Sequence, residues 1–323
     1  MPNYQGVWSL SEQYQAQGQG NWPPNYVLPV GVMFGGAGGS GVNNMIQTLN
    51  LTTLGNSVDQ GNLTYSPAQS PSAVGNSIVA LCAGGQTAST SRATSQYTYA
   101  TGGDAVDSGD LRIGYGYMEF GGVSNSTRGV FAGGFTSSEA IVNSMSYITL
   151  GTTGYPADFG DLTVARRNLQ ASGSSTRGIF GGGKNSSNSQ VNVLDYITIA
   201  TTGNATDFGN LLVATQQMAT GSNSTRSIWA GGVSSESTIQ YITIASTGNA
   251  VDFGDLIAGR KEFMGMSSET RFVFGGGKLS NNTTVTDLEY VNIASTGNAQ
   301  DWGDQAIQSY NFSSTSSVHG GLQ

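Results

Sequence analysis

Residues 175–183 read STRGIFGGG, and the phrase returns as STRGVFAGG at 126–134, STRSIWAGG at 224–232 and ETRFVFGGG at 269–277. Its arginines, Arg128, Arg177, Arg226 and Arg271, lie 49, 49 and 45 residues apart. A second element follows each phrase after a polar loop: YITL from Tyr147, YITI from Tyr196 and Tyr241, and YVNI from Tyr290, with a weaker form at Tyr97. The third element is DFGDL from Asp158, DFGNL from Asp207, DFGDL from Asp252 and DWGDQ from Asp301, with degenerate forms from Asp59 and Asp107. Fainter Gly-Gly strands occur at 32–36 and 81–85, and a last one at 318–321. A period of this length marks a supersecondary unit that cannot bury its own faces and must stack on its neighbours.

Each unit reads as four short strands. In the clearest copy they are expected over 167–174, 177–182, 193–200 and 207–214, separated by Ser-Thr, Asn-Ser and Thr-Gly-Asn turns. Alternation along them is loose, as in strands covered on both faces. Composition agrees: 48 glycines and only 10% charged residues leave little helix-forming material in 323 residues. Four antiparallel strands per repeat are the blade of an all-β propeller, expected over residues 25–323 as one domain. Phe131, Phe180, Trp229 and Phe274 share one position and are expected between blades; Met33 and Cys82 occupy it in the early repeats.

The order of features resembles the kelch repeat. A Gly-Gly pair closes the second strand (Gly182-Gly183), a tyrosine lies in the third (Tyr196), an aromatic in the fourth (Phe208), and a basic residue opens the next unit (Arg260). The resemblance covers about residues 25–321 and implies a kelch-like β-propeller; it does not imply a function, because such propellers serve enzymes, scaffolds and adhesins alike. Seven blades are favoured, with Ser313–Gly321 supplying the inner strands of a last blade, its Gly-Gly strand at 318–321, and Tyr4–Leu10 its outer strand, where Trp8 would match Phe208. Six blades are the alternative. The repeated Arg128, Arg177, Arg226 and Arg271 are expected to serve the scaffold, for example by pairing with the aspartates of the turn.

Several function classes are excluded by inventory. A net charge of −8 with 12 scattered basic residues argues against nucleic acid as a partner. One histidine (His319) and one cysteine (Cys82) leave no Cys/His pair, no His-based triad and no His-rich metal site, and no cofactor is expected. A copper radical oxidase, an enzymatic use of such propellers, needs more His ligands than this. The paired carboxylates Asp158/Asp161, Asp252/Asp255 and Asp301/Asp304 recur in successive units, whereas an active site is built once, so they are expected to hold turns. Their spacing lacks the ligand density of a calcium loop. No 18-residue apolar run suggests a membrane span, and the first ten residues do not read as a signal peptide, so synthesis in the cytoplasm is expected.

Binding is expected in the loops least alike between repeats, those after the Gly-Gly pairs. They read FTSSEAIVN at 135–143, KNSSNSQVN at 184–192, VSSEST at 233–238 and KLSNNTTVT at 278–286. Lys184, Asn185, Asn188, Ser235, Glu236, Lys278, Asn281 and Asn282 are the candidate ligand-binding residues, with side chains suited to sugar hydroxyls. Residues 1–24 stand outside the repeat and carry Trp8, Tyr14 and Trp22, the candidate residues of an anchoring or ring-closing segment.

The stretch GVWSLSEQYQAQGQGNWPP (6–24) and the wording YITIA–TTGNATDFGNL resemble structural proteins of tailed phages, particularly cyanophages and other marine phages. That resemblance implies a virion protein of a tail fibre, baseplate or capsid surface. It would contact other virion proteins through its N-terminal segment and a host glycan or receptor through its loops, within a larger oligomeric assembly. A cellular kelch-type scaffold that gathers partner proteins is the alternative.

Overall fold

The computed structural model describes residues 29–38, 41–66, 70–86, 91–111, 118–136, 138, 140–233 and 237–321. Its strands form six four-stranded antiparallel sheets, the blades of a propeller. Blade 1 contains β1 (Val30–Gly38), β2 (Gly41–Asn50) and β3 (Val58–Asn62). Blade 2 is β4 (Ser72–Gly75), β5 (Val79–Ala83), β6 (Ala93–Thr98) and β7 (Val106–Asp110), and blade 3 is β8 (Gly121–Ser124), β9 (Arg128–Ala132), β10 (Ser144–Thr149) and β11 (Ala157–Asp161). Blade 4 begins with the short β12 (Arg166–Arg167) and continues as β13 (Gln170–Gly173), β14 (Arg177–Gly181), the short β15 (Lys184–Asn185), β16 (Val193–Thr198) and β17 (Thr206–Asn210). Blade 5 holds β18 (Ala219–Ser222), β19 (Arg226–Ala230), β20 (Thr238–Thr243) and β21 (Val251–Asp255). Blade 6 repeats the plan of blade 4, with β22 (Arg260–Lys261), β23 (Met264–Ser267), β24 (Arg271–Gly275), β25 (Lys278–Leu279), β26 (Asp287–Asn292) and β27 (Gln300–Asp304).

The last strand, β28 (Ser313–Ser316), is the innermost strand of blade 1, antiparallel to β1 with Phe34 opposite Ser313 and Gly31 opposite Ser316. Of the two blade counts open in the sequence, the structure has six. The reason is register. Ser316 occupies the place that Ser222 and Ser267 hold at the ends of their innermost strands, so the Gly-Gly at 320–321 is not a second strand but a terminal turn, His319–Gly321. Among the described residues the ring is closed by the pairing of β28 with β1, and the expected outer strand over residues 4–10 lies outside the described residues.

The expected inter-blade core is present. Phe131, Phe180, Trp229, Phe274, Met33 and Cys82 are all buried, in apolar clusters that join neighbouring blades. Each large side chain contributes about 1.5–3 kcal/mol by leaving water. Burial pushes the Cys82 thiol up to about 11, which keeps it protonated and inert.

Polar bonds lock neighbouring blades at the rim and at middle radius. At the rim, the Thr-Gly-Asn-Ala turn of one blade lies along the fourth strand of the blade before it. Gly203 N–H donates to Phe159 O (2.7 Å), Ala205 N–H to Asp161 O (2.8 Å), and Asn204 Oδ1 accepts from Asp161 N–H (3.0 Å). The same set recurs between blades 4 and 5, 5 and 6, and 6 and 1. Gly160 is forced here: its φ is 140° and a Cβ would stand 2.4 Å from Gly203 O. The joint between blades 2 and 3 differs, because Tyr155 and Pro156 replace the asparagine and alanine and proline has no N–H to give.

At middle radius the repeated arginines do not pair with the turn aspartates. Arg177 stacks on Tyr196 of its own blade, 4.5 Å from the ring centre, and Nη1 donates to Ile244 O of the next blade at 2.7 Å. Arg128 reaches Ile199 O, Arg226 reaches Ile293 O, and Arg271 reaches Thr52 O across the closure. A guanidinium spans two donors' worth of distance and keeps its charge on an aromatic face, whereas the aspartates point out at the rim, exposed. Val30 and Val79 hold this position in blades 1 and 2.

Within two blades a further polar contact is buried charge. Arg166 and Asp195, both fully buried, form an ion pair at 2.7 Å, and the guanidinium also donates to Val193 O and Gly182 O. Arg260 and Glu289 repeat the pair in blade 6. Blade 5 uses uncharged Thr215 and Gln240 at the same places, so the fold does not demand the ions.

Candidate functional site

The site is built where the innermost strands begin, on the face that carries the loops after the Gly-Gly pairs. One residue of each blade there, Ser70, Glu119, Asn168, Gln217, Glu262 and Asn311, adopts a left-handed backbone with φ between 44° and 59°. Each N–H donates to the carbonyl of its counterpart in the preceding blade: Glu119 to Ser70, Asn168 to Glu119, Gln217 to Asn168, Glu262 to Gln217, Asn311 to Glu262 and Ser70 to Asn311, at 2.6–3.3 Å. Six backbone hydrogen bonds thus run in one sense around the axis and frame a mouth of six polar side chains. Left-handed backbone is uncommon outside glycine, and the closed circuit is what stabilises it at four non-asparagine positions.

Two minimal hairpins, over 184–190 and 278–284, flank the mouth, each laid against a short strand that opens its blade. In blade 4, β12 pairs with β15, and in blade 6, β22 pairs with β25. Their tips are ordered by local bonds: Asn185 Oδ1 accepts from Ser187 and Ser189 N–H, and Asn281 Oδ1 from Thr283 N–H. Arg167 reaches from β12 to Glu119 (2.8 Å), to Asn188 Oδ1 (3.3 Å) and over the Phe135 ring. Lys278 contacts Glu262 at 2.8 Å and lies 3.6 Å from the Tyr310 ring centre.

Six of the eight candidate ligand-binding residues are therefore brought to one face. Lys184, Lys278, Asn188 and Asn282 keep polar groups at its surface, while Asn185 and Asn281 are committed to turns. Ser235, Glu236, Trp8, Tyr14 and Trp22 lie outside the described residues. Sequence reading missed the mouth ring, because its members share no residue type, and missed Arg167 and Lys261 as surface groups. The spacing of Glu119, Asn168, Gln217, Glu262 and Asn311, each two residues after a basic, polar or aromatic residue (Tyr117, Arg166, Thr215, Arg260 and Ser309), carries too little pattern to find it.

Behind the mouth the innermost strands enclose a narrow polar space of about 60 Å³, lined by Ser172, Ser222, Ser267, Ser314 and their neighbours, enough for a few waters and no organic ligand. Serine hydroxyls bridge blades along it: Ser124 Oγ bonds both N–H and O of Gly75, Ser222 Oγ bonds Gly173, and Ser267 Oγ bonds Ser222. At the far end His319 packs against Gly75 and Ser124, and Gly320 O accepts from Ser175 N–H. Burial lowers the proton affinity of the imidazole, and the Gly75 carbonyl draws it partly back.

Both described ends of the ring stand on that far face. β1 starts there at Val30, whose N–H donates to Ser317 Oγ at 3.0 Å, and the chain leaves through residues 317–321. The disc is thus two-sided, with termini on one face and loops and mouth on the other. Among the described residues no cluster of three His, Cys, Asp or Glu side chains forms a metal site, and no helix is long and apolar enough to cross a membrane. No known protein family and no curated protein sequence matches the chain.

Proposed function

We propose that this kelch-like propeller is a virion structural protein of a tailed phage, in a tail fibre, baseplate or capsid surface, that attaches to a host glycan or receptor through its loop face. The observation that carries the reading is the two-sidedness of the disc. Residues 1–28 are continuous with Pro29 on the terminal face, so a segment anchored in a neighbouring protein leaves the mouth and hairpins turned outward. Recognition on loops held by a rigid scaffold is the usual division of labour. The tryptophan-bearing opening stretch and the repeat wording supply the phage assignment by resemblance.

Mass spectrometry and cryo-EM of purified particles test it. The expected result is density for the disc with its terminal face on the particle. Absence from the particle overturns the virion reading in favour of a cellular scaffold, and density with the loop face buried overturns attachment in favour of particle decoration.

A further inference from the structure

The chemistry of the ligand follows from one rung of the blade, on the premise that the loop face is the recognition face. In blade 4 that rung pairs Arg167 with Lys184, and in blade 6 it pairs Lys261 with Lys278. Cross-strand partners project on the same side of a ladder with Cβ atoms about 4.5–5.5 Å apart, where like charges repel. The other blades show that the scaffold has no need of them. The same rung is Met118 with Phe135 in blade 3, Gln216 with Val233 in blade 5 and Tyr310 with Ala37 in blade 1. Doubly cationic rungs in two blades and neutral ones in three, within a chain of net charge −8, are a feature of the surface and not of the fold.

Carboxylates offset only half of this charge. Arg167 is paired with Glu119 and Lys278 with Glu262, while Lys184 and Lys261 make no ion pair among the described residues. All three lysines of the chain lie on these hairpins or on the short strand paired with one of them. The first aspartate of each turn, Asp59, Asp107, Asp158, Asp207, Asp252 and Asp301, is exposed on the outer rim instead. Each hairpin also carries an exposed asparagine at its left-handed tip, Asn188 and Asn282, beside the cations. A residual positive charge with amide groups beside it suits an anionic group set among hydroxyls.

We infer that the hairpins of blades 4 and 6 are paired anion sites, each taking a carboxylate, sulfate or phosphate group of an acidic polysaccharide. Two sites on one rigid disc let a single chain of sugars engage both, so that weak contacts add as avidity.

The test is surface plasmon resonance of the full chain on polygalacturonate, dextran sulfate and a polyphosphorylated glycan, with neutral dextran as reference, at about 50 and 300 mM salt. The three acidic polymers separate carboxylate, sulfate and phosphate as the preferred group. Binding to at least one, weakened by salt and roughly tenfold or more by K184Q/K261Q, is expected. E119Q/E262Q should instead tighten binding several-fold, a sign that lost structure would not give; glutamine already stands at that ring position in blade 5 as Gln217. Circular dichroism and melting of each variant check the fold. Binding to neutral dextran alone, unmoved by the lysine changes, overturns the inference while leaving glycan attachment standing. Binding to none of the polymers overturns it too, and localisation on the particle then decides the attachment reading separately.

Discussion

His319 hydrogen-bonds the carbonyl oxygen of Gly75 at 3.0 Å, joining residues 244 positions apart. A carbonyl only accepts, so Nε2 carries the proton, and the same nitrogen is 3.2 Å from Ser124 Oγ. Gly75 belongs to blade 2 and Ser124 to blade 3. That joint has Val79 where later blades have the bridging arginine, and Tyr155 and Pro156 where they have the rim asparagine and alanine. The terminal turn staples the joint that the repeat leaves least bonded.

Acid should weaken this staple. Burial lowers the His319 proton affinity below the ordinary value of 6.5, so the unfolded chain takes up a proton that the folded ring refuses. Stability is then expected to fall as pH drops from about 6.5 towards the native value, and to level off on this account below it. His319 is the sole histidine, so H319Q should remove that part of the slope. Urea midpoints between about pH 7.5 and 5 measure it; an unchanged slope in H319Q would refute the assignment.

The buried pair of blade 4 has an internal replacement. R166T alone leaves Asp195 charged and unpaired in the interior and should cost about 3–5 kcal/mol. R166T with D195Q copies the Thr215 and Gln240 of blade 5 and should recover most of that loss. Chemical denaturation of the two variants compares them, and equal destabilisation would mean that the ions are needed for more than mutual compensation.

Installing the absent rim latch is expected to stabilise. Y155N/P156A restores an acceptor for Asp110 N–H and a donor for its carbonyl, about 1 kcal/mol each, less about 0.4–1 kcal/mol for the greater freedom of the unfolded chain without proline. A net gain of about 1 kcal/mol should appear as a higher melting temperature. A loss would show that blades 2 and 3 meet in a different geometry at the rim.

Gln217 tests the strain in the mouth ring. Q217A and Q217G both remove the side chain, but alanine retains the penalty of φ 59° and glycine does not. Q217G should therefore be more stable than Q217A by about 1 kcal/mol, read from paired thermal melts. The reverse order would place the residue outside the left-handed region in solution.

The propeller was legible because its repeat is written in residues that packing demands: Trp229 and its counterparts between blades, Gly160 beneath Gly203, and the Asn204 cap. The blade count was open because Val318-His319-Gly320-Gly321 imitates a Gly-Gly strand, and only pairing of Ser313–Ser316 with β1 assigns those residues to a turn. The arginine partners were misjudged since Ile244 O and Tyr196 are reached through space and a backbone carbonyl has no signature in sequence. On the loop face, Lys184 and Lys278 were visible as variable loop residues, while Arg167 and Lys261 hid in what reads as the opening of an ordinary strand.

The strand that closes the circle, β28, is the last of the described strands to leave the ribosome. Until residues 313–316 emerge, β1 exposes its inner edge, an unpaired strand of the sort that recruits other chains. Translation thus proceeds with the other five blades complete and the first unfinished, and a ribosome stalled anywhere in the last unit leaves an aggregation-prone product.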